Sequence, residues 1–304
     1  MSIPSHSSKF KSFLDLTRAH FIIVWPVIFL SGLFMAFEGY GSFDWRITIK
    51  AVLISTLGFE AAFILNDIVD IEYDKRDVDW NITKYWRPFG SRPLASGDIG
   101  KGSAQFLFAF LLVLVAGLIY TLPTPNRYYL YAIMAYTFSM EYFYQVKKRT
   151  QRLPVAQLLG RTDFMMFAAA GYLCYGRPDT ALFLYCLFFY TLAEIHLGIN
   201  DLSDYNNDIE RELKTVTTMY GTKGNLRWII IFTALHVCLS VPFFVYMGGV
   251  SLAGFAFGIV MLSYICQRLR RDTSPDEARR VVPLFHLTLL IYMVSIIIGS
   301  ALAL

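Results

Sequence analysis

Two segments of the chain carry the same polar side chains at the same spacing. Asn66, Asp67, Asp70 and Asp74 read N-D-x-x-D-x-x-x-D, and Asn200, Asp201, Asp204 and Asp208 repeat that pattern 134 residues later. Glu60 and Glu194 match at the same offset, six residues before each Asn. On a helix, Asn66, Asp70 and Asp74 fall at i, i+4 and i+8 and form one stripe about 12 Å long. Like charges at that spacing repel, so the stripe calls for a cation. Two facing stripes present six Asp carboxylates with no paired His or Cys nearby. An all-oxygen donor set favours Mg²⁺ over zinc or copper. Mg²⁺ commonly takes one or two carboxylates and completes its shell with substrate phosphates and water, which points to a diphosphate held between two helices. The pattern does not read as an EF-hand, whose glycine and terminal Glu are missing. One such motif alone reads equally well as a helix end dipping into water. Two copies agreeing at four polar positions weigh against that reading, since ionisable clusters at membrane depth are rare.

The elements that position these motifs are membrane helices. The chain has 304 residues, of which 56% are hydrophobic and only 16% charged, and its mean hydropathy is +0.47. Soluble domains carry about 25% charged residues, so the composition selects a polytopic all-α membrane protein. Nine spans are expected, near 17–38, 48–67, 103–121, 127–146, 155–175, 180–200, 226–247, 249–267 and 281–303. All are read as helices, because an open sheet leaves its backbone unsatisfied in lipid. With nine spans, Arg46, Lys50, Arg127 and Arg177 lie on one side, Arg161 lies within a span, and every other Lys and Arg falls on the opposite side. That asymmetry puts the N-terminus and both Asp motifs in the cytoplasm. It also assigns the net charge of +4 to loops at a membrane surface and not to a nucleic-acid partner.

Four spans separate the two motifs, so both emerge on one face and the repeat is parallel. The expected architecture is two four-helix repeats around a central cavity, plus a ninth helix. The chain reads as one domain over 1–304, with a first half near 12–146 and a second near 147–304. The two long cytoplasmic loops are 68–102 and 201–225. The first holds Trp80, Tyr85, Trp86 and Phe89, too aromatic for a solvated linker, and is expected to fold over the membrane face as a lid. Cys174, Cys186, Cys238 and Cys266 form no CxxC pair and read as buried small hydrophobes. The start, Met1 to Lys11, is polar, and no cleavable signal is evident.

At these residues the sequence resembles the UbiA superfamily of intramembrane prenyltransferases, over essentially its whole length. Arg92-Pro93-Leu94-Ala95-Ser96-Gly97 looks like the R-P-[LI]-x-S-G that follows the first motif. Lys148-Arg149-Thr150, with Pro154, Gln157 and Leu159-Gly160, is similar to the family's fourth-to-fifth loop, and Lys214-Thr215 to the K-T after the second motif. The stretch from Trp80 to Gly90 looks like an insertion, and the glycine commonly found before Lys-Thr is missing.

The resemblance implies Mg²⁺-assisted ionisation of an isoprenyl diphosphate and transfer of the prenyl group to a hydrophobic acceptor. Asn66, Asp70 and Asp74 would hold one metal and Asp204 and Asp208 another, with Asp67, Asn200 and Asp201 supporting. Asp70, Asp74, Asp204 and Asp208 are the catalytic set. Arg18, Arg92, Lys147, Lys148 and Lys214 are candidates for the diphosphate, and Glu60, Glu194, His196 and Tyr144 for the acceptor pocket. Each has a plainer reading, as a headgroup contact or a packed polar residue. An aromatic quinone precursor is the first expectation for the acceptor. Ether formation on a prenylglycerol phosphate is the second reading. A transporter with a repeated acidic site is a third, from another class, and it predicts cation flux without diphosphate release.

Overall fold

The structure is a computed structural model and describes residues 8–304. The first seven residues of the polar start therefore lie outside the described residues. Helices follow one another with no strand among the described residues. In chain order they are α1 (Lys9–Leu16), a 3₁₀ turn (Ala19–Phe21), α2 (Val24–Tyr40), α3 (Trp45–Asp74), α4 (Asn81–Trp86), α5 (Pro93–Ser96), α6 (Lys101–Tyr120) and α7 (Asn126–Lys147). Then come α8 (Val155–Gly160), α9 (Thr162–Leu173), α10 (Thr180–Ser203), α11 (Tyr205–Glu210), α12 (Val216–Met247), α13 (Gly249–Arg271) and α14 (Pro275–Ala303).

Seven segments are long and apolar enough to cross a membrane: Ala19–Tyr40, α3, α6, α10, α12, α13 and α14. The other two expected spans are helical but differ in kind. Residues 127–146 lie in α7, whose tyrosines, Glu141 and Gln145 dilute its hydropathy. Residues 155–175 divide at Arg161 into α8 and the twelve-residue α9. Within the bundle, α10 is the most buried span, with 67% of its apolar window inside, and α6 the least, with 22%. So α10 stands at the centre and α6 on the rim, where Phe106 and Val113 point outward. In lipid, an outward apolar side chain is solvated by acyl chains and not by water.

Small residues let the central helices touch. A β-carbon on Gly171 would lie 1.9 Å from the Phe29 carbonyl oxygen, so α2 and α9 approach backbone to backbone. The expectation that all four cysteines are buried is corrected: Cys174 and Cys266 are, Cys186 is half-buried, and Cys238 is exposed on α12. The first long loop begins later than expected, because α3 runs on to Asp74. Its aromatic residues do fold inward: Trp80 is buried, and Tyr85 and Trp86 pack on Phe21 and His286.

Two Asp motifs over one amphipathic cavity

The α3 helix begins at Asp44, whose carboxylate accepts from the Arg46 and Ile47 amides at 2.7 and 3.2 Å. Its 30 residues span about 45 Å at the α-helical rise, well beyond a hydrocarbon core of about 30 Å. The excess carries the first motif out of the apolar layer on an intact helix. Asn66, Asp70 and Asp74 line a cavity of about 310 Å³. Asp67 does not line it. Its carboxylate accepts from Arg87 at 2.8 Å through both oxygens and from Arg18 at 3.3 Å. Arg87 is buried and also donates to the Asp15 carbonyl at 2.6 Å. The Asp15 carboxylate in turn accepts from the Phe89 and Ser91 amides and the Ser91 hydroxyl. Asp67 thus ties α3 to the lid and to α1.

The second motif is not the continuous stripe expected. The α10 helix stops at Ser203, and Asp204 leaves helical geometry with φ −101° and ψ 11° before α11 resumes. Local side-chain bonds compete with the helix there. The Ser203 hydroxyl donates to the Asn200 carbonyl at 2.8 Å. Asn207 donates to Asp204 and to the Asp79 carbonyl and accepts from the Val78 and Asp79 amides. The break turns Asp204 and Asp208 toward α3, and Asn200, Asp201, Asp204 and Asp208 line the same cavity as the first motif. Asp201 also accepts from the Val216 amide at 3.2 Å, at the start of α12. Burial together with the charges of Asp204 and Asp201 pushes the Asp208 carboxyl well above the usual carboxylate range.

Basic side chains are distributed over these acids. Arg92 precedes Pro93, which opens α5, and Gly97 closes that helix at φ +82°. The guanidinium of Arg92 pairs with Asp74 at 2.9 Å and with Asp77 at 2.6 Å. Arg211 pairs with Asp77, with Asp74 at 3.3 Å and with Asp204 at 3.4 Å. Burial opposes the Arg211 charge, yet the surrounding Asp204, Asp74 and Asp77 hold it above its ordinary value. Lys148 and Arg149 both contact Asp70, at 2.8 and 2.9 Å. Arg18 lines the cavity from a left-handed backbone, φ 45°, stacked on Phe63 at 3.8 Å. Lys147 and Lys214 do not line the cavity. The Lys214 side chain is exposed while its amide donates to the Lys148 carbonyl. In the Lys-Thr pair it is Thr215 that faces the cavity, and it caps α12 through the Thr218 amide.

Away from the motifs the cavity is apolar, with Trp25 stacked on Phe59 at 3.9 Å and with Phe29, Ile119, Leu130 and Phe167 in the wall. Between the two zones sits Tyr144, with Arg161 over its ring at 4.4 Å and Lys148 at 5.1 Å. Arg161 pairs with Glu141 at 3.3 Å and Asp163 at 3.2 Å, and Glu141 accepts from Asn66 at 2.9 Å. Gly160 makes this possible: a β-carbon there would lie 2.8 Å from the Tyr144 side chain. His196 also lines the cavity, whereas Glu60 and Glu194 are buried between helices and do not.

The donor set fits Mg²⁺ shared with a substrate. Among the described residues no three His, Cys, Asp or Glu side chains form a metal cage by themselves. The cavity instead offers separated carboxylates and the Asn200 amide oxygen, which is buried without a partner. A hard cation that completes its shell with phosphate oxygens suits such a set.

The sequence profile of the UbiA prenyltransferase family matches residues 23–290. The chain belongs to that family. Digeranylgeranylglyceryl phosphate synthase of Saccharolobus solfataricus is 27% identical over 245 residues, covering 77% of this chain and 78% of that protein. The 4-hydroxybenzoate octaprenyltransferase of Francisella tularensis subsp. novicida is 26% identical over 272 residues, covering 85% of each. A UbiA homologue from Archaeoglobus fulgidus bound to GPP and Mg²⁺ superposes with a TM-score of 0.68 at 17% identity, over 94% of this chain and 99% of that one. Sequence reasoning left out Asp77, Glu141, Arg149, Asp163, Arg211 and His286 as site residues of this family member. One of them carried a signal: Arg149 belongs to the Lys-Arg-Thr signature.

Proposed function

We propose that this chain transfers a prenyl group from an isoprenyl diphosphate to a hydrophobic acceptor, with Mg²⁺ bound. One observation carries the reading. Both Asp motifs and the guanidinium groups of Arg18, Arg92 and Arg211 meet at one end of a single cavity whose other end is apolar and aromatic. Asn66, Asp70 and Asp74 on one side and Asn200, Asp204 and Asp208 on the other would hold Mg²⁺, which when bound supplies Lewis-acid compensation for the charge on a departing diphosphate. Arg92 and Arg211 have donors to turn toward phosphate oxygens while Asp77 keeps them anchored. The lid excludes water through Ile82 and Trp86, protecting an allylic cation formed as the C1–O bond breaks. Aromatic faces such as Phe59 and Phe63 stabilise that cation.

The acceptor reading rests on Tyr144 between Lys148 and Arg161. Two cations beside an aromatic ring suit an acceptor with both an anionic group and a hydroxyl. An aromatic acid and a prenylglycerol phosphate both meet that description, and the relatives include a 4-hydroxybenzoate octaprenyltransferase and a digeranylgeranylglyceryl phosphate synthase. The nine-span topology belongs to the same proposal: α7, and α8 with α9, complete the bundle, the two Asp halves are parallel repeats, and the N-terminus and lid face the cytoplasm. The basic loops support that orientation.

The test is mass spectrometry of products. Purified protein receives prenyl diphosphates of several lengths, Mg²⁺, and either hydroxylated aromatic acids or prenylglycerol phosphates. A prenylated product that disappears with EDTA is expected, and its mass names the acceptor class. Absence of both product and diphosphate release across all donors would overturn the reading.

A further inference from the structure

Beside the Asp motifs the cavity wall carries a chain of hydrogen-bonding side chains that those motifs do not explain. His196 on α10 and His286 on α14 both line the cavity, and their Nε2 atoms lie 3.1 Å apart. His286 Nδ1 lies 2.5 Å from the Tyr85 hydroxyl on the lid helix α4. Three separate elements therefore place three proton-carrying groups in one line. The rings are held in place: His196 stacks on Phe285 at 5.2 Å, Tyr85 stacks on His286 at 5.6 Å, and Trp86 abuts His286 edge-on at 5.1 Å. Nδ1 of His196 makes no hydrogen bond among the described residues, although the side chain faces the cavity. At the other end Tyr85 stands half-buried on the lid helix.

We propose that His196, His286 and Tyr85 form a relay that carries the acceptor's proton from the cavity to water. The proposal rests on the prenyl-transfer reading, because every acceptor of that reaction must lose a proton. The donor's C1–O bond breaks with its electron pair on the diphosphate, and the acceptor oxygen or ring carbon bonds to C1. The acceptor's proton passes to His196 Nδ1. The His196 Nε2 proton moves to His286 Nε2, the His286 Nδ1 proton moves to the Tyr85 oxygen, and the Tyr85 proton leaves to water. An imidazole suits this work because it accepts at one nitrogen while donating from the other. His196 is the group that meets the acceptor, and His286 and Tyr85 act through it.

Two readouts separate the relay from the donor site: diphosphate release without acceptor, and prenylated product with it. His196→Ala and His286→Ala should lower product formation by about 100-fold, the scale of general base catalysis. Tyr85→Phe should lower it by less. Mg²⁺-dependent diphosphate release should persist in all three variants, and added imidazole should restore part of the product in His196→Ala. His196→Gln keeps a polar side chain of similar length and should stay slow if proton transfer is the role. Loss of both readouts together, or unchanged product in His196→Ala and His286→Ala, overturns the relay. No diphosphate release from the unaltered protein would instead overturn the prenyl-transfer reading on which the relay depends.

Discussion

The adjacent acids of the first motif do different work. Asp70 faces the cavity between Lys148 and Arg149, while Asp67 faces Arg87, and both members of that second pair are buried. Removing one partner of a buried ion pair leaves an uncompensated charge, worth about 3–5 kcal/mol. Asp67→Ala should therefore show a large drop in thermal midpoint and only a secondary loss of metal response. Asp70→Asn also strips the charge that Lys148 and Arg149 share, but its amide oxygen can still accept from them. Its thermal midpoint should therefore fall less than that of Asp67→Ala, while Mg²⁺-dependent turnover should drop at least about 100-fold, the scale of one preorganised electrostatic contact. Melting curves alongside Mg²⁺ titrations of turnover would check the contrast, and an active Asp70→Asn would remove Asp70 from the metal set. Asp208 adds a pH dependence. Burial and the neighbouring Asp204 and Asp201 charges raise its carboxyl, so the folded, metal-free protein binds this proton where the unfolded chain has lost it. Stability without metal should then fall as pH rises from the ordinary carboxylate range toward the raised value. A metal ligand must be deprotonated, so Mg²⁺–diphosphate binding should release a proton and weaken as pH drops. Calorimetry in two buffers of different ionisation enthalpy measures that proton directly.

At the scale of elements, short helices set the site. The α8 helix reaches Tyr144 only because Gly160 lacks a side chain, and the Leu159-Gly160 signature thereby gains a physical reason. Gly160→Ala should destabilise by about 1–3 kcal/mol through overpacking, with Tyr144 displaced from between its two cations. The expected kinetic mark is a raised acceptor KM with diphosphate release nearly unchanged. Thermal unfolding and the two assays together check this, and an unaltered acceptor KM would detach Tyr144 from the acceptor pocket. The break at Asp204 belongs to this scale as well. A continuous α10 would have pointed its acids along one stripe, but the break, fastened by Asn207 to the lid backbone, folds the second motif over the first.

The whole molecule places its chemistry at one end of the bundle. Basic residues crowd that end, while Arg177 and Asp179 lie at the other. There the Asp179 carboxylate caps α10 and accepts from Tyr172 and Tyr40 at 2.6 and 2.8 Å. The proposed orientation can be measured with a membrane-impermeant maleimide on oriented vesicles, once the exposed Cys238 has been replaced. Lys75→Cys should label from the cytoplasmic side and Arg177→Cys from the opposite side. Labelling of both from one side would remove the nine-span topology.

Membrane class, helices, the paired Asp motifs and the aromatic inward-folding loop were legible in the sequence, because each is written in local composition or in a spacing that the α-helical repeat converts into a shared face. Family signatures such as Arg92-Pro93 and Ser96-Gly97 were legible only through the resemblance, since neither composition nor period marks them. What neighbours what was not. Asp67 looks like every other Asp of the motif until Arg87 arrives from the lid, and Glu141, Arg161 and Asp163 gather at Asn66 only when α7 and α9 pack beside α3. His196 and His286 stand 90 residues apart and carry no joint pattern. Periodicity along the chain decides which way a residue points on its own helix. The partner it meets there is chosen by how the helices cross, and that only the tertiary structure decides.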